Sequence, residues 1–191
     1  YACSNTRLYD LGCSLGAVSF LLQRLKLNNC SVVAVDKSSA MIKRCQESLA
    51  LNKSVGTLPV ELRCEDIQQT EMFNASVVVL NFTLQFITPE QRNNIIKNIY
   101  KALVPGGILI ISEKIIFTED EKNKLFIDLY HQFKKTNGYS DLEISRKRSA
   151  LEDILIPETV EQHNERIKAV GFTSFEPWFQ CFNFASMFAI K

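Results

Sequence analysis

The fold is decided by Tyr9-Asp10-Leu11-Gly12-Cys13-Ser14-Leu15-Gly16, because of what lies on either side of it. A short apolar run leads into this stretch, and a second run, Ser31-Val32-Val33-Ala34-Val35, ends on Asp36. Residues 17–27, between the two runs, carry apolar side chains at helical spacing. The order strand, glycine turn, helix, strand, acid predicts a parallel α/β unit. Glycines let the backbone approach a ligand, and such an acid can accept from both hydroxyls of a ribose, so a nucleoside site is predicted.

The glycine turn lacks the patterns that bind phosphates. Ser14 stands where the dinucleotide fingerprint G-x-G-x-x-G has its second glycine, and no Gly-Lys-Ser/Thr follows as in a P-loop. A nucleoside without phosphates fits better, and S-adenosylmethionine is the common one. Alternatively, Gly12 and Gly16 only form a tight turn and Asp36 only caps the next helix. Each residue alone favours that alternative, but the combination at this spacing favours the cofactor.

Composition indicates an ordinary globular protein. The chain has 191 residues, 46% hydrophobic and 23% charged, which predicts a single domain over 1–191. A net charge of +1 argues against a wide basic face for nucleic acid. No apolar run is long enough for a membrane span and no signal peptide is visible. Because Tyr1 stands almost directly on the first strand, we expect further residues upstream of this numbering.

Six cysteines occur without any CxxC pair, namely Cys3, Cys13, Cys30, Cys45, Cys64 and Cys181. His131 and His163 do not belong to a cluster with metal-ligand spacing. We therefore expect buried or semi-buried thiols of a reducing, cytoplasmic protein, with no disulfide framework and no metal site. Cys13 lies in the glycine turn, where its backbone is expected to matter more than its thiol.

Strands and helices alternate along the chain. Strands are predicted at Arg7–Leu11, Val32–Val35, Val60–Arg63, Val77–Asn81 and Ile108–Ser112. Helices are predicted from Ala17 to Leu27, after a cap at Ser38 or Ser39, after capping boxes at Thr88-Pro89-Glu90-Gln91 and Thr118-Glu119-Asp120-Glu121, and from about Glu158 to Val170. Residues 139–157 are polar and charged, without a predicted element. The tail, 172–191, predicts two strands joined near Glu176-Pro177 as an antiparallel hairpin.

This order is typical of the class I methyltransferase fold, a doubly wound, mostly parallel α/β sheet with a C-terminal antiparallel hairpin. Ligands of such sheets lie at the carboxyl ends of the central strands. There Asp66 can accept from an adenine amino group, Ile67 can pack on the ring, and Asn81 can bind the methionine part. The alternatives are a turn acid for Asp66 and a helix or turn cap for Asn81.

Several segments resemble carboxy-S-adenosyl-L-methionine synthases. They are Tyr9-Asp10-Leu11-Gly12-Cys13-Ser14, Val79-Leu80-Asn81-Phe82-Thr83-Leu84-Gln85-Phe86, Ser112-Glu113-Lys114, Asn137-Gly138-Tyr139-Ser140, Leu142-Glu143-Ile144-Ser145 and Trp178-Phe179-Gln180-Cys181-Phe182-Asn183-Phe184. The resemblance implies an enzyme that adds a carboxyl group from prephenate to the methyl group of S-adenosyl-L-methionine, giving phenylpyruvate as well. The resemblance also implies that the product is the donor for modifying wobble uridine in tRNA. A homodimer is also implied, with the tail from Trp178 helping it to form or only packing in the core.

The resemblance implies a cofactor site made of Gly12, Cys13, Ser14, Asp36, Lys37, Asp66, Ile67 and Asn81. The site is expected to hold S-adenosyl-L-methionine, S-adenosylhomocysteine or the carboxylated product. Arg148 matches the arginine that pairs with the new carboxylate, a role suited to its planar fork. From the residues alone, Arg146-Lys147-Arg148 reads as a solvated charged face.

Two features depart from the family. Its N-terminal helical segment, with a tyrosine over the cofactor, has no counterpart here, and Lys37 stands where better-known members carry Asn. Two other functions share the cofactor residues: an ordinary small-molecule methyltransferase and a non-catalytic protein that binds S-adenosylmethionine. A methyltransferase would be recognised by the mass of its product, a methylated acceptor without a carboxylated cofactor. A non-catalytic protein would be recognised by tight binding of the ligand without turnover.

Overall fold

The structure, a computed structural model, describes residues 1–51, 56–152 and 154–191, and leaves out the side chains of residues 147–152. Its strands are β1 (Arg7–Leu11), β2 (Ser31–Asp36), β3 (Val60–Cys64), β4 (Ala75–Asn81), β5 (Leu103–Lys114), β6 (Ser174–Cys181) and β7 (Phe184–Ile190). Its helices are α1 (Ala17–Leu22), α2 (Ser39–Leu51), α3 (Pro89–Ala102), α4 (Asp120–Thr136), α5 (Asp141–Glu152) and α6 (Val160–Val170), with a 3₁₀ turn at Leu84–Phe86.

The strands form one sheet in the order β3-β2-β1-β4-β5-β7-β6. β1 to β5 run parallel, β7 is antiparallel to β5, and β6 is antiparallel to β7. The strand order reverses between β1 and β4, where Leu11 pairs with Leu80. Such a reversal opens a crevice at the carboxyl ends of the two strands. The predicted fold class is confirmed, and the crevice lies where the glycine turn follows β1.

Alternate residues of the central strands pack on opposite faces of the sheet. Tyr9 and Leu11 belong to one core cluster with the apolar stripe of α3, Ile95, Ile96 and Ile99. Leu8 belongs to a second cluster, against which Val18 and Leu22 of α1 pack. Because both faces are covered, β2 is an uninterrupted apolar run rather than an alternating one.

Helix α1 is shorter than predicted. It ends at Leu22 instead of Leu27. The N–H groups of Arg24 and Leu25 donate to the carbonyls three residues earlier, at 3.2 and 3.1 Å, so the chain tightens into turns. The carbonyl of Gln23 accepts from Leu58 N–H at 2.7 Å instead of continuing the helix.

The two predicted capping boxes are wrong as hydrogen-bonded motifs, although both helices exist. Thr88 precedes α3 and Glu119 precedes α4 without a side-chain cap bond. Ser38 is the cap of α2, since Met41 N–H donates to its Oγ at 3.4 Å. A reciprocal box does start α6, between Thr159 and Gln162, two residues after the predicted start.

Residues 139–157 contain helix α5, which the sequence reading missed. The helix is preceded by a capping box: Ser140 N–H donates to Glu143 Oε2 at 2.8 Å, and Glu143 N–H donates to Ser140 Oγ at 3.3 Å. The bond from Ser140 N–H lowers the pKa of Glu143. The pattern Ser-x-x-Glu was visible in the sequence, but the charged stretch that follows has a weak apolar stripe.

The C-terminal hairpin is confirmed, but its turn is not at Glu176-Pro177. β6 runs through this dipeptide, and the chain reverses at Phe182-Asn183, where Phe182 has a φ of +51°. Proline is tolerated there because β6 is the edge strand. β5 begins at Leu103 instead of the predicted Ile108 and therefore contains Pro105-Gly106-Gly107, where Gly106 N–H donates to Lys191 O at 3.0 Å.

All six cysteines are free, and three are more exposed than predicted. Cys13, Cys30 and Cys45 are buried, whereas Cys3, Cys64 and Cys181 are exposed. Within residues 1–51, 56–152 and 154–191, no group of three or more His, Cys, Asp or Glu side chains could hold a metal ion. Across the same described parts, no helix is both long and apolar enough to cross a membrane.

Candidate active site

The glycine turn after β1 is closely packed against two other elements. Gly12 and Gly16 have φ angles of +80° and +84°, in the left-handed region that side chains disfavour. A Cβ atom on Gly12 would lie 2.3 Å from Thr83 Oγ1, and one on Gly16 would lie 2.4 Å from Cys45 Sγ. Gly12 N–H donates to Val35 O at 2.8 Å, which binds the turn to β2. Both glycines are therefore required by backbone conformation and by packing.

Asp36 is bound to the glycine turn. Its Oδ2 accepts from Ser14 N–H at 2.9 Å, and its Oδ1 accepts from Ser38 N–H at 2.9 Å. Ser14 itself is left-handed, with a φ of +49°. A carboxylate has about four lone-pair sites, so each oxygen can still accept a ribose hydroxyl. Asp36 fixes the shape of the turn and stays able to bind a nucleoside, while Ser38 caps the helix.

Asp10 joins β1 to the helix that leaves the turn. Its Oδ2 accepts from Ser19 N–H at 2.9 Å and from Ser19 Oγ–H at 2.6 Å. The side chain is 1% exposed, and this burial raises the pKa of Asp10 to about 6, although the bonds from Ser19 oppose the shift. The sequence reading gave Asp10 no role.

The other predicted cofactor residues follow β2, β3 and β4 at the same edge of the sheet. Lys37 is exposed, and Asn81 is the last residue of β4 and half-buried. Asp66 Oδ1 accepts from Gln68 N–H at 2.9 Å, as a turn acid does. Ile67 is 7% exposed and belongs to the core cluster of Tyr9 and Leu11.

The carboxyl ends of four adjacent strands thus bring the predicted cofactor residues to one edge. Register places Asp36 opposite Cys64, and Glu65 N–H donates to Asp36 O at 3.2 Å, so the turn of Asp66 adjoins the end of β2. Arg148 belongs to α5, but its side chain lies outside the described residues.

The segment Phe82–Phe86 follows Asn81 and is held by Glu113, near the end of β5. Glu113 Oε1 accepts from the N–H groups of Thr83 at 3.2 Å and Leu84 at 2.8 Å. Its Oε2 accepts from Gln85 N–H at 3.1 Å. Burial raises the pKa of Glu113 to about 7, against the effect of these three bonds and of Arg92.

A cavity of about 560 Å³ lies beside this segment. Aromatic side chains from the segment, from α4 and from β7 form part of its wall: Phe82, Phe86, Tyr130 and Phe184. Three side chains that carry or can take a positive charge also line it: Lys114, His131 and Lys134. Lys134 Nζ stands 4.6 Å from the centre of the Tyr130 ring. The cavity therefore combines aromatic surface with positive charge.

Sequence reasoning missed Glu113 and the cations of the cavity. Ser112-Glu113-Lys114 was recognised only as part of the family resemblance, without a role for any residue. On α4, Ile127, His131 and Lys134 recur at i, i+4 and i+7, which places them on one helical face. That spacing was readable, but nothing in the sequence showed that this face borders a cavity rather than solvent.

Comparison with known proteins agrees with this geometry. A family model described as a methyltransferase domain matches residues 9–109. A solved SAM-dependent methyltransferase from Methanosarcina mazei has a TM-score of 0.66 at 19% identity, with 100% of this chain and 92% of that chain covered. Together with the glycine turn at the reversal of strand order, these findings place the chain in the class of SAM-dependent methyltransferases.

Within that class, the sequence is similar to one group of proteins over its whole length. The carboxy-S-adenosyl-L-methionine synthase of Shewanella halifaxensis (strain HAW-EB4) is 53% identical, with 100% of this chain and 78% of that protein covered. The synthase of Geobacter sp. (strain M21) is 57% identical with the same coverage. The chain belongs to the carboxy-S-adenosyl-L-methionine synthase family, and it is an enzyme. The resemblance identified from the sequence is confirmed.

Proposed function

We propose that this transferase, whose substrate is S-adenosyl-L-methionine, uses prephenate as its second substrate. Prephenate loses carbon dioxide and hydroxide as its ring becomes aromatic, and phenylpyruvate remains. The hydroxide takes a proton from the sulfonium methyl group and becomes water. The resulting ylide carbon attacks carbon dioxide, and the new carbon–carbon bond gives carboxy-S-adenosyl-L-methionine. The protein supplies proximity and excludes water, so no strong protein base is required.

The main support for this proposal is the cavity beside Phe82. Prephenate is a dicarboxylate with a six-membered ring, and the cavity pairs aromatic walls with Lys114, His131 and Lys134. Positive side chains stabilise carboxylates, and apolar walls exclude the water that would compete for carbon dioxide or the ylide. Phe82, which follows Asn81 directly, lines the cavity, so a methyl group bound near Asn81 would face it.

In the proposed complex, backbone of Gly12, Cys13 and Ser14 approaches the nucleoside. Support comes from the exposure of Ser14, the last residue of this stretch. Asp36 accepts the ribose hydroxyls while keeping its bond from Ser14 N–H. Lys37, Asp66 and Ile67 border the adenine, and Asn81 binds the methionine part.

Arg148 pairs with the new carboxylate in this proposal. A guanidinium binds a carboxylate through two parallel hydrogen bonds, which retains the product. Ile144, one turn earlier on α5, is 6% exposed and lines the cavity. Arg148 follows Ile144 by four residues, so it starts from the same face of the helix.

We further propose a cytoplasmic homodimer that supplies its product to the enzymes that modify wobble uridine in tRNA. The net charge of +1 supports a small-molecule role without direct nucleic-acid binding. Exposed Trp178 and Phe179 on β6 are the surface we assign to the second copy.

Mass spectrometry of the products tests the function. Incubation with S-adenosyl-L-methionine and prephenate should give phenylpyruvate and a sulfonium compound heavier by one carboxyl group. Lys114→Met and Lys134→Met should each raise the KM for prephenate about tenfold, because each removes a cation from the cavity. Lys97→Met, an exposed position on α3, is the matched control and should change nothing.

Two results would contradict the proposal. A methylated acceptor without a carboxylated cofactor would make the enzyme an ordinary methyltransferase. Binding of S-adenosyl-L-methionine without turnover of prephenate in the full-length protein would leave only a binding function.

A further inference from the structure

The segment Phe82–Phe86 begins with an unfavourable backbone conformation. Phe82 has a φ of +56°, a left-handed value that bulky residues seldom adopt. Its N–H donates to Ser112 O at 2.7 Å, which continues the pairing of β4 with β5 for one residue. Such a conformation persists only where the surroundings enforce it, and it is concentrated at functional sites.

Glu113 supplies the restraint. It follows Ser112 on β5, and its carboxylate accepts from three consecutive N–H groups, those of Thr83, Leu84 and Gln85. The side chain is 1% exposed, so these bonds form away from water. Gln85 Oε1 in turn accepts from Lys114 N–H at 3.0 Å. The side chains of Glu113 and Gln85 therefore fix the end of β5 and the segment Phe82–Phe86 to each other.

The same segment borders both substrate regions. Thr83 fills the space that a side chain on Gly12 would occupy, and its Oγ1 donates to Leu11 O at 2.9 Å. Phe82 and Phe86 line the cavity. Any displacement of the segment would move one wall of the cofactor turn and one wall of the cavity together.

We propose that Glu113 is a positioning residue whose carboxylate holds Phe82–Phe86 in the one arrangement that serves both substrate regions. It acts through the segment and not on the reacting atoms, because its oxygens are directed at backbone N–H groups. The expected effect of Glu113 on cofactor binding is independent of the identity of the second substrate. Its effect on the cavity rests on the proposed function.

Two substitutions separate positioning from general stability. Glu113→Ala removes all three acceptor bonds, whereas Glu113→Gln keeps one acceptor oxygen at nearly the same size. Ile167→Ala is the control, since Ile167 is buried in the core on α6 and belongs neither to the segment Phe82–Phe86 nor to the end of β5 that holds it. The Kd for S-adenosyl-L-methionine is measured by calorimetry and the KM for prephenate by product formation, at a temperature where circular dichroism shows each variant folded.

Glu113→Ala should raise both constants about tenfold, and Glu113→Gln should raise both by a smaller factor. Ile167→Ala should lower the Tm while leaving both constants within twofold of wild type. Glu113 variants with a lower Tm but an unchanged Kd for S-adenosyl-L-methionine would overturn the proposal, whatever happens with prephenate. If prephenate is not turned over by the wild type, the proposed function fails, while the Kd comparison still decides the role of Glu113.

Discussion

Replacing Gly12 by alanine tests the packing of the glycine turn most directly. The φ of +80° is left-handed, which costs an L residue about 1–2 kcal/mol. The added Cβ would also lie 2.3 Å from Thr83 Oγ1 and 2.5 Å from Thr83 Cγ2, and overpacking of this kind costs about 1–3 kcal/mol. We expect Gly12→Ala to lower the free energy of unfolding by about 2–5 kcal/mol, the sum of both costs.

Three further variants separate the costs: Gly106→Ala, Thr83→Ala, and the double variant Gly12→Ala/Thr83→Ala. Gly106→Ala meets nothing within 4 Å at a φ of +76°, so it should show the backbone cost alone. Thr83→Ala, combined with Gly12→Ala, should recover about 1–3 kcal/mol of the loss, because it removes the two nearest atoms, Thr83 Oγ1 and Cγ2. Urea unfolding with linear extrapolation measures all four variants against wild type. If Gly12→Ala costs no more than Gly106→Ala, or if the double variant is additive, the contact with Thr83 does not constrain the turn.

Two predictions concern pH. Burial raises the pKa of Asp10 from 3.8 to about 6, so the folded protein holds a proton that the unfolded chain has lost, and stability falls as the pH rises from about 4 to 6. Asp10→Asn should therefore gain up to about 3 kcal/mol relative to wild type over that range, measured by urea unfolding at pH 4 and pH 7, and a constant difference would contradict the assignment. Burial lowers the pKa of His163 from 6.5 to about 4, with Arg166 and Arg92 acting in the same direction and Glu158 against them. Stability is then lost as the pH falls from 6.5 towards 4, and His163→Gln should remove up to about 3 kcal/mol of that loss; an equal acid sensitivity in both proteins would show that another group is responsible.

The sequence alone was sufficient to predict the helices and strands whose hydrophobic pattern is local. The apolar run of β2 and the stripe of α3 follow from periodicity, and the position of the glycine turn follows from strand order. The end of α1 was not readable, because it depends on Leu58 taking the carbonyl of Gln23. The hairpin turn was misplaced because Pro177 usually marks a break, and only its edge position makes it compatible with a strand.

Some residues of the candidate site could likewise be identified from local sequence, and others could not. Gly12, Gly16 and Asp36 form a motif with fixed spacing, so they were identifiable without a structure. Glu113 was not, because its three bonds reach residues 28–30 positions away along the chain. The cavity brings together side chains from the β4–α3 connection, α4 and β7, and no local sequence pattern indicates that these elements lie next to one another. The single-domain organisation and the roles of the site residues, Arg148 among them, remain predictions.

The proline inside β6 also determines how the sheet ends. An exposed edge strand is a template for pairing with another chain, and a long apolar edge leads to aggregation. β6 carries exposed Trp178 and Phe179, yet Pro177 just before them has no N–H to donate, and the ladder is irregular between Pro177 and Phe179. A foreign strand can therefore pair with β6 only in short pieces on either side of the proline. One residue thus protects this edge of the sheet from open-ended growth.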